Sequence, residues 1–290
     1  MTQRVLGALA SLALVTGALP AHAQDKPAFV FTAIPSQDET RLVERFTRFA
    51  DYLKSKLGVE VKYVPVKSYP AAVTAFTNNQ VQLAWFGGFT GVQARAAVPG
   101  AEAIAQGAED VAFKSYVIAN TATGLTPSKA FPEGIAGRIF TFGSRASTSG
   151  RVMPEYFFRQ HFKKAPEEIF ARVGFSGDHS KTIQLVQTGA YEVGVLDYSV
   201  YEAEKKAGKI DASKVQVIWE SPPFPDYQFT VRGDVDATFG AGFKAKLTEA
   251  ILSLDDKEML GFFERSQFIP ARNEDYQPIE AVAKASNLLN

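Results

Sequence analysis

Gly143-Ser-Arg-Ala-Ser-Thr-Ser-Gly-Arg151 is the stretch around which the rest of this sequence can be ordered. Residues 138–142, directly before it, form an apolar run of strand length, and residues 153–162, directly after it, have the composition of a helix. A strand, a small polar turn and the first turn of a helix are therefore predicted. The unpaired N–H groups and positive dipole end of such a helix bind anions, and the hydroxyls of residues 147–149 add donors. Hydroxyl residues are also common helix caps, so the turn fits either role.

Strand-like apolar runs alternate with helical segments along most of the chain. The strand-like runs lie at 29–34, 59–64, 81–86, 101–105, 115–120, 138–142, 171–175, 191–196, 215–219 and 227–232. The helical segments lie at 40–57, 71–77, 90–97, 153–162, 180–187, 198–207, 243–254 and 257–267. This alternation predicts an α/β fold in which mostly parallel strands are covered by helices on both faces.

Two breaks rich in proline, glycine and hydroxyl residues divide this series, at 121–137 and 221–225. The second strand–helix series is complete before the second break, yet a strand and two helices still follow it. We therefore assign this tail to the first series. The prediction is a discontinuous first lobe, residues 24–121 with 222–290, and a continuous second lobe, residues 122–221. The two extended crossings between the lobes are natural hinge segments.

The first 23 residues have the features of a cleaved export signal. Arg4 gives a positive start, residues 5–19 are apolar, and Ala21-His-Ala23 is a small-x-small cleavage site. The apolar run is shorter than the roughly 20 residues that a membrane-spanning helix needs. We therefore expect cleavage after Ala23 and an exported mature chain.

The composition excludes several classes of protein. The chain has 31 basic and 31 acidic residues, a net charge of zero, and no cysteine. Balanced, interspersed charge gives no reason to expect nucleic acid or an anionic membrane as a partner. Without cysteine there are neither disulfides nor thiolate ligands, and no His-x-x-x-His or paired-carboxylate spacing supports a metal site. We expect neither a metal nor a cofactor.

Polar side chains or bare backbone follow the predicted strands of both series. In an open α/β sheet the loops at the carboxyl ends of the strands form the ligand site. These loops carry Ser36-Gln37, Tyr69, Gly87-Gly88, residues 147–149, Asp178-His179 and Asp197-Tyr198. Two facing lobes with such rims enclose a cleft lined by small, mostly uncharged groups. Each group also has a structural explanation, since Asp178 and Asp197 suit helix N-caps and Tyr69 suits a hydrophobic staple.

The same residue types also occur in the active sites of hydrolases. Ser147 or Ser149, His179 and Asp197 are the types that a catalytic triad needs. The sequence has no G-x-S-x-G elbow, however, and each residue lies at its own predicted helix start, where capping explains it. We therefore do not expect an enzyme.

The sequence resembles the periplasmic substrate-binding proteins of ABC importers of the phosphonate, phosphite and phosphate type, close to members assigned to selenate. The segments that carry the resemblance are Ile34-Pro-Ser-Gln-Asp-Glu39, Trp85-Phe-Gly-Gly88, Ser147-Thr-Ser-Gly150, Gly177-Asp-His179 and Tyr191-Glu-Val-Gly194 leading to Asp197. Together they span nearly the whole mature chain. The Ser-Thr-Ser-Gly turn is the most specific of them.

The resemblance implies a type II, two-lobed periplasmic binding protein fold, with two mixed sheets flanked by helices and a two-strand hinge, that closes on a small oxyanion. It implies six ligand contacts: Ser147, Thr148 and Ser149 as the oxyanion cradle, His179 as a further donor, Tyr69 from the opposite lobe and Asp197 on the far side. It also implies delivery of the ligand to the membrane permease of an ABC importer. We expect the receptor to be a periplasmic monomer.

Asp197 decides which anion is bound if its carboxylate reaches the ligand. A carboxylate only accepts hydrogen bonds, so it suits phosphate, phosphite or phosphonate that carries a proton on oxygen. Sulfate or selenate would instead face an unpaired like charge. If Asp197 only caps its helix, selenate or a related anion is left open. A sensory binding protein that feeds a histidine kinase would share the same fold.

Overall fold

Two β-sheets, each flanked by helices, form the part of the chain that this computed structural model describes, residues 27–289. The strands are β1 (Phe29–Ala33), β2 (Val61–Tyr63), β3 (Leu83–Phe86), β4 (Glu102–Gly107), β5 (Ser115–Asn120), β6 (Ile139–Phe142), β7 (Arg172–Phe175), β8 (Val193–Asp197), β9 (Val215–Glu220), β10 (Gln228–Val231) and β11 (Phe268–Pro270). The helices are α1 (Glu39–Leu57), α2 (Tyr69–Thr77), α3 (Gly88–Ala97), α4 (Met153–Phe162), α5 (Pro166–Ile169), α6 (His179–Gln187), α7 (Tyr198–Lys206), α8 (Val235–Phe239), α9 (Phe243–Leu252), α10 (Lys257–Phe263) and α11 (Gln277–Ala285). The predicted export signal lies outside the described residues.

Both sheets are mixed and follow the same plan. The strand order is β11-β4-β10-β3-β1-β2 in the first sheet and β7-β6-β8-β5-β9 in the second. In the first sheet β1 is parallel to β2 and β3, and β10 is antiparallel to both β3 and β4. In the second sheet β6 is parallel to β7 and β8, and β5 is antiparallel to both β8 and β9. The predicted α/β fold with two mixed, helix-flanked sheets is confirmed.

Strand β5 belongs to the second lobe, so its assignment to the first lobe was wrong. Its backbone pairs with β8, Ser115 opposite Asp197, and with β9, Asn120 opposite Val215. The first crossing between the lobes is therefore 108–114, earlier than the break at 121–137. That segment lacks the glycine, proline and hydroxyl residues that mark a linker in a sequence, because it is a 3₁₀ turn, Ala108–Ala112, followed by the bridge at Phe113 rather than a loose connection.

The two crossing segments, 108–114 and 221–227, run side by side as a hinge. The N–H of Phe113 donates to the carbonyl of Phe224 at 2.8 Å, and the N–H of Phe224 donates back to Phe113 at 3.0 Å. The N–H of Asp226 donates to the carbonyl of Asp110 at 3.0 Å. Two short connections joined by these hydrogen bonds absorb small changes in backbone angle while they keep the two lobes in register.

Helix α1 shows how local sequence and packing agree in the first lobe. Asp38 accepts from the N–H groups of Thr40 and Arg41 at its start, and Gly58 ends it in the left-handed region, φ 71°. Its apolar stripe includes Phe49, whose ring lies 5.7 Å from that of Phe31 on β1. Burial of one such side chain contributes about 2 kcal/mol.

Among residues 27–289 no helix has the length and apolar composition that crossing a bilayer requires.

Candidate ligand-binding site

The six residues predicted to contact a ligand are all buried where the two lobes meet. Each is 2% exposed or less: Tyr69, Ser147, Thr148, Ser149, His179 and Asp197. Tyr69 comes from the first lobe and the others from the second. Hydrogen bonds cross between the lobes here, so the cleft is closed. Their role as ligand contacts stays a prediction, but the fold brings them to one place.

The serine-threonine-serine turn begins a helical turn whose first N–H groups face the cleft. The backbone of Gly143 donates to Gly150 at 2.8 Å, which folds the loop onto the end of β6. Ser147 caps the following π-helical turn, Thr148–Val152, because its hydroxyl accepts from the N–H of Gly150 at 2.9 Å. A side chain at Gly150 would meet the His179 ring at 3.0 Å. Glycine is therefore needed for the ring to lie against the turn.

Thr148 connects this turn to the first lobe. Its hydroxyl accepts from the backbone N–H of Phe89 at 3.0 Å, in the first turn of α3. Helix α3 begins after Gly87, which has no side-chain cap, so acceptors from the other lobe (Thr148) and from the hinge (Asp226) cover its N-terminus. The positive ends of two helical segments, one from each lobe, thus point into the same space, and such ends favour a bound anion.

His179 lies in the centre of the site with a defined tautomer. Its Nδ1 accepts from the backbone N–H of Asp197 at 3.3 Å, so the proton of a neutral ring is on Nε2. Nε2 lies 3.4 Å from the Tyr69 hydroxyl of the opposite lobe. Burial lowers the pKa of His179 below its usual 6.5, although Asp197 and Asp178 oppose this. The ring is therefore a neutral donor near pH 7.

We expect His179 to keep this neutral form from pH 6.5 to 8. Because burial lowers its pKa, the protonated form is lost before the pH reaches this range, and no ionisation is left within it. Nitrogen NMR of His179 in an H161Q background, which removes the exposed histidine of the mature chain, checks this. Shifts of an Nε2–H tautomer, constant over the range, are expected. A midpoint near 6.5 or an Nδ1–H signal would contradict the assignment.

The backbone N–H of Asp197 lies at the site and bonds to His179, while its carboxylate bonds to the start of α7 and to Tyr227. Oδ1 accepts from the N–H groups of Ser199 at 2.6 Å and Val200 at 3.2 Å, and so caps α7. Oδ2 accepts from the hydroxyl of Tyr227 at 3.0 Å. These bonds favour the capping role. Contact between Asp197 and a ligand stays a prediction that none of them supports.

Asp226, which no sequence pattern indicated, is a buried carboxylate at the site with an unused oxygen. It is 1% exposed, and its Oδ1 accepts from the N–H of Gly88 at 2.9 Å. Among the described residues its buried Oδ2 has no hydrogen-bond partner. Burial raises its pKa to about 7 against the Gly88 N–H bond, and repulsion from Asp197 adds to the rise. A buried acceptor without a donor marks a place for a ligand that brings one.

The position of Asp226 explains why the sequence did not reveal it. We collected residues that follow strands, since the carboxyl ends of parallel strands share one edge. Asp226 precedes β10, which is antiparallel to β3, with Gln228 opposite Phe86. The start of an antiparallel strand lies at the same edge as the ends of its parallel neighbours. Ser115 repeats this in the second lobe, where it precedes the rest of β5 and donates to the carbonyl of Ser149 at 2.7 Å.

A groove of about 400 Å³ lies outside the closed site, between the two lobes. Gln37 and Lys67 line it from the first lobe, and Asp178 and Lys181 from the second. The N–H of His179 donates to the carbonyl of Ser36 at 2.9 Å, between the groove and the site. This hydrogen bond between the lobes separates the buried site from the solvent-filled groove.

Two lobes, a paired hinge and a sealed polar site between them define a solute-binding protein that closes around a small ligand. The profile of the family described as ABC transporter, phosphonate, periplasmic substrate-binding protein matches residues 31–276. This chain belongs to that family, and the resemblance seen in the sequence is confirmed. The family consists of periplasmic receptors of phosphonate ABC transporters.

Individual relatives agree with this membership. The chain is 39% identical over 262 residues to the probable ABC transporter phosphite binding protein PhnD1 of Prochlorococcus marinus MIT 9301, which covers 88% of each chain. The solved structure of that protein in complex with methylphosphonate superposes with a TM-score of 0.86 over 90% of this chain and 98% of the other. The phosphonates-binding periplasmic protein of Escherichia coli K12 is 24% identical over 82% of this chain and 72% of its own.

Proposed function

We propose that this protein captures a small phosphorus oxyanion, phosphite or methylphosphonate, between its lobes and delivers it to the membrane permease of an ABC importer. The family supports the transport role. The relative named as a phosphite-binding protein, whose structure contains methylphosphonate, supports the ligand. We infer export through the cleaved signal ending at Ala23, and a monomeric receptor in the periplasm.

Ser147, His179 and Asp197 are of the residue types found in a catalytic triad, but their contacts fit a binding role without catalysis. In a triad the acid carboxylate holds the histidine, which then takes a proton from the serine. Here the backbone N–H of Asp197, not its carboxylate, holds His179. The hydroxyl of Ser147 accepts from Gly150 as a helix cap. These residues are positioned as donors to a bound anion.

We propose that the bound anion accepts hydrogen bonds from donors of both lobes. The cradle residues Ser147, Thr148 and Ser149 contribute hydroxyls and the first N–H groups of the helical turn, His179 contributes Nε2–H, and Tyr69 its hydroxyl from the opposite lobe. Burial raises the pKa of Tyr69 well above 10, so its phenol keeps the proton it donates. Only closure brings both sets of donors to one ligand, so the ligand favours the closed form.

The unpaired Oδ2 of Asp226 is the observation that carries the choice of ligand. A buried carboxylate beside the anion is tolerated if one proton lies between them. Phosphite and methylphosphonate supply that proton as monoanions. Sulfate and selenate have none near neutral pH, and would place two like charges together in a site without water. We therefore transfer the discriminating role from Asp197 to Asp226.

The hydrogen bond between Ser36 and His179 supports a limit on ligand size. It forms between the lobes at 2.9 Å, and it closes the route from the site to the outer groove. We expect the closed cleft to accept a hydrogen atom or a methyl group on phosphorus. We expect a substituent of two carbons and an amine to break this contact and to keep the lobes apart.

Calorimetric titration of the mature protein at pH 7.5 tests the proposed function. We expect phosphite and methylphosphonate to bind several-fold more tightly than sulfate or selenate, because an oxyanion without a proton binds only the fraction of the protein in which Asp226 is itself protonated. 2-Aminoethylphosphonate serves as the size control and is expected to bind weakly. Tight sulfate or selenate binding without a response to phosphorus compounds would contradict the proposal. So would turnover of an ester that S147A abolishes.

A further inference from the structure

A second set of contacts joins the lobes behind the ligand site. Ser199, in the first turn of α7, belongs to the second lobe, and Glu264, directly after α10, belongs to the first. The hydroxyl of Ser199 lies 3.0 Å from Glu264 Oε2 and 2.8 Å from Asp197 Oδ1. One hydroxyl thus lies between two carboxylates, the buried Asp197 of the second lobe and the largely buried Glu264 of the first, whose side chain is 13% exposed.

The Ser199 hydroxyl has one proton, but two carboxylates compete for it. A serine hydroxyl carries a single proton and donates to one carboxylate at a time, so the other carboxylate faces a lone pair. Asp197 Oδ1 is already satisfied by two backbone N–H groups. Among residues 27–289, Glu264 Oε1 has no hydrogen-bond partner. Two like charges brought this close in a dry interface oppose its formation.

The cations near Glu264 do not change with closure. Arg45 and Arg41 lie 3.5 and 4.0 Å from Glu264 Oε1, and both are on α1 of the same lobe. Arg265 forms its ion pair with Asp110 at 2.6 Å. Their attraction for Glu264 is present whether the cleft is open or closed. Burial nevertheless raises the pKa of Glu264, against the effect of Arg45, and Asp197 adds to the rise. For Glu264, closure adds the contact with Ser199 and Asp197. Arg265 Nη1 also donates to the Ser199 hydroxyl at 3.5 Å and attracts Asp197, but that attraction does not involve the charge of Glu264.

We propose that Glu264 and Ser199 are positioning residues that set the open–closed equilibrium, with the charge of Glu264 holding the empty cleft open. The inference deepens the proposed binding function, on which its affinity test rests. A ligand whose binding form is only partly populated binds with an affinity reduced by that fraction. Removal of the opposing charge therefore raises the affinity for every ligand by the same factor.

Glu264→Gln removes the charge and keeps the shape. An amide both donates and accepts, so it satisfies Ser199 without repelling Asp197. We expect phosphite and methylphosphonate to bind about three- to tenfold more tightly, with their ratio unchanged. We also expect the ligand-free protein to become more compact in small-angle X-ray scattering, approaching the ligand-bound wild type.

Ser199→Ala is expected to act in the opposite direction. Without the hydroxyl the two carboxylates face each other directly, so both affinities should fall by about three- to tenfold, with little change in the scattering of an already open protein. Glu258→Gln is the matched control. Glu258 is an exposed residue of the same α10, and its carboxylate pairs with Arg48 of the same lobe at 2.6 Å. This variant should bind as the wild type does.

The outcomes separate this inference from the proposed function. A Glu264→Gln variant that binds no more tightly, or that changes the ratio of the two ligands, would overturn it, as would unchanged scattering of the ligand-free protein. If Glu264→Gln does not fold, unchanged affinity in Ser199→Ala overturns the inference. If the wild type binds no phosphorus oxyanion, the proposed function fails, and the scattering of the ligand-free variants still tests the role of Glu264.

Discussion

Asp226→Asn is expected to reverse the selectivity of the site. Phosphite and methylphosphonate should bind roughly 10- to 100-fold more weakly at pH 8, and sulfate about tenfold more tightly, than they bind the wild type. The direction follows from Gly88, whose N–H holds an acceptor oxygen at 2.9 Å. The asparagine oxygen has to stay there, so the NH₂ group takes the place of Oδ2. An acceptor aimed at the ligand becomes a donor.

The pH dependence of sulfate binding gives a second measure of Asp226. Burial raises the pKa of this carboxyl from 3.8 to about 7 in the closed structure. Because the folded-state pKa is raised, the protonated form is the favoured one, and its contribution is present at low pH and lost as pH rises through 7. Sulfate brings no proton, so its affinity should fall about fivefold between pH 7 and 8. In Asp226→Asn the affinity should be constant over this range.

Asp178→Asn is the control for a charge removed near the site. Asp178 caps α6 by accepting from the N–H of Lys181 at 2.8 Å, a role that asparagine performs equally well. The variant should keep the wild-type order of ligands. If Asp226→Asn also keeps it, or if sulfate binding to the wild type does not respond to pH, Asp226 is not the group that selects the ligand.

Thr148→Ala is expected to weaken all ligands by roughly 100-fold and to leave their order unchanged. The Thr148 hydroxyl accepts from Phe89 across the cleft at 3.0 Å, and it is also one of the proposed contacts of the anion. In the alanine variant, closure buries the Phe89 N–H without a partner and the anion loses a donor. Each loss costs about 1–3 kcal/mol. Isothermal calorimetry with phosphite and methylphosphonate measures the effect.

Thr148→Ser is the matched control, because it keeps the hydroxyl and removes only a methyl group. Its affinities should lie within a few-fold of the wild type, and ligand-free thermal unfolding of both variants should be close to that of the wild type. Equal losses in the serine and alanine variants would show that packing of the methyl group matters rather than the hydrogen bond. Loss of folding in Thr148→Ala would return the turn to a purely structural role.

The sequence predicted the repeating units of the fold well. The predicted helix from 40 begins one residue late and ends correctly at Leu57, and the predicted helix at 153–162 coincides with α4. Helices α5 and α8 and strand β11 were not predicted because they are short. Helix α11 was also missed, although its buried residues Ile279, Val282 and Ala283 have helical spacing. Periodicity reflects burial of one face of one segment, so long segments with one buried face are the most readable.

Part of the candidate site could also be predicted from the sequence, because some of its residues follow a pattern that is local to one segment. Residues that follow parallel strands, such as the turn at 147–149 and His179, were identified because the rule for such loops is local to one strand and the helix after it. Tyr69 was identified as the start of a capped helix. Asp226 and Ser115 were missed because they precede antiparallel strands, and nothing near them in the sequence gives their direction.

By itself, the sequence determined the α/β class, the succession of strands and helices, the oxyanion-type turn and the family to which the chain belongs. The tertiary structure decided which lobe β5 joins, which carboxylate has an unused oxygen, and which groups meet across the cleft. These depend on pairings such as Ser115 with Asp197 and Gly88 with Asp226, between residues far apart in the chain. Local patterns report how one segment is buried, while the direction of a side chain in a shared cleft is set by the segments it meets there.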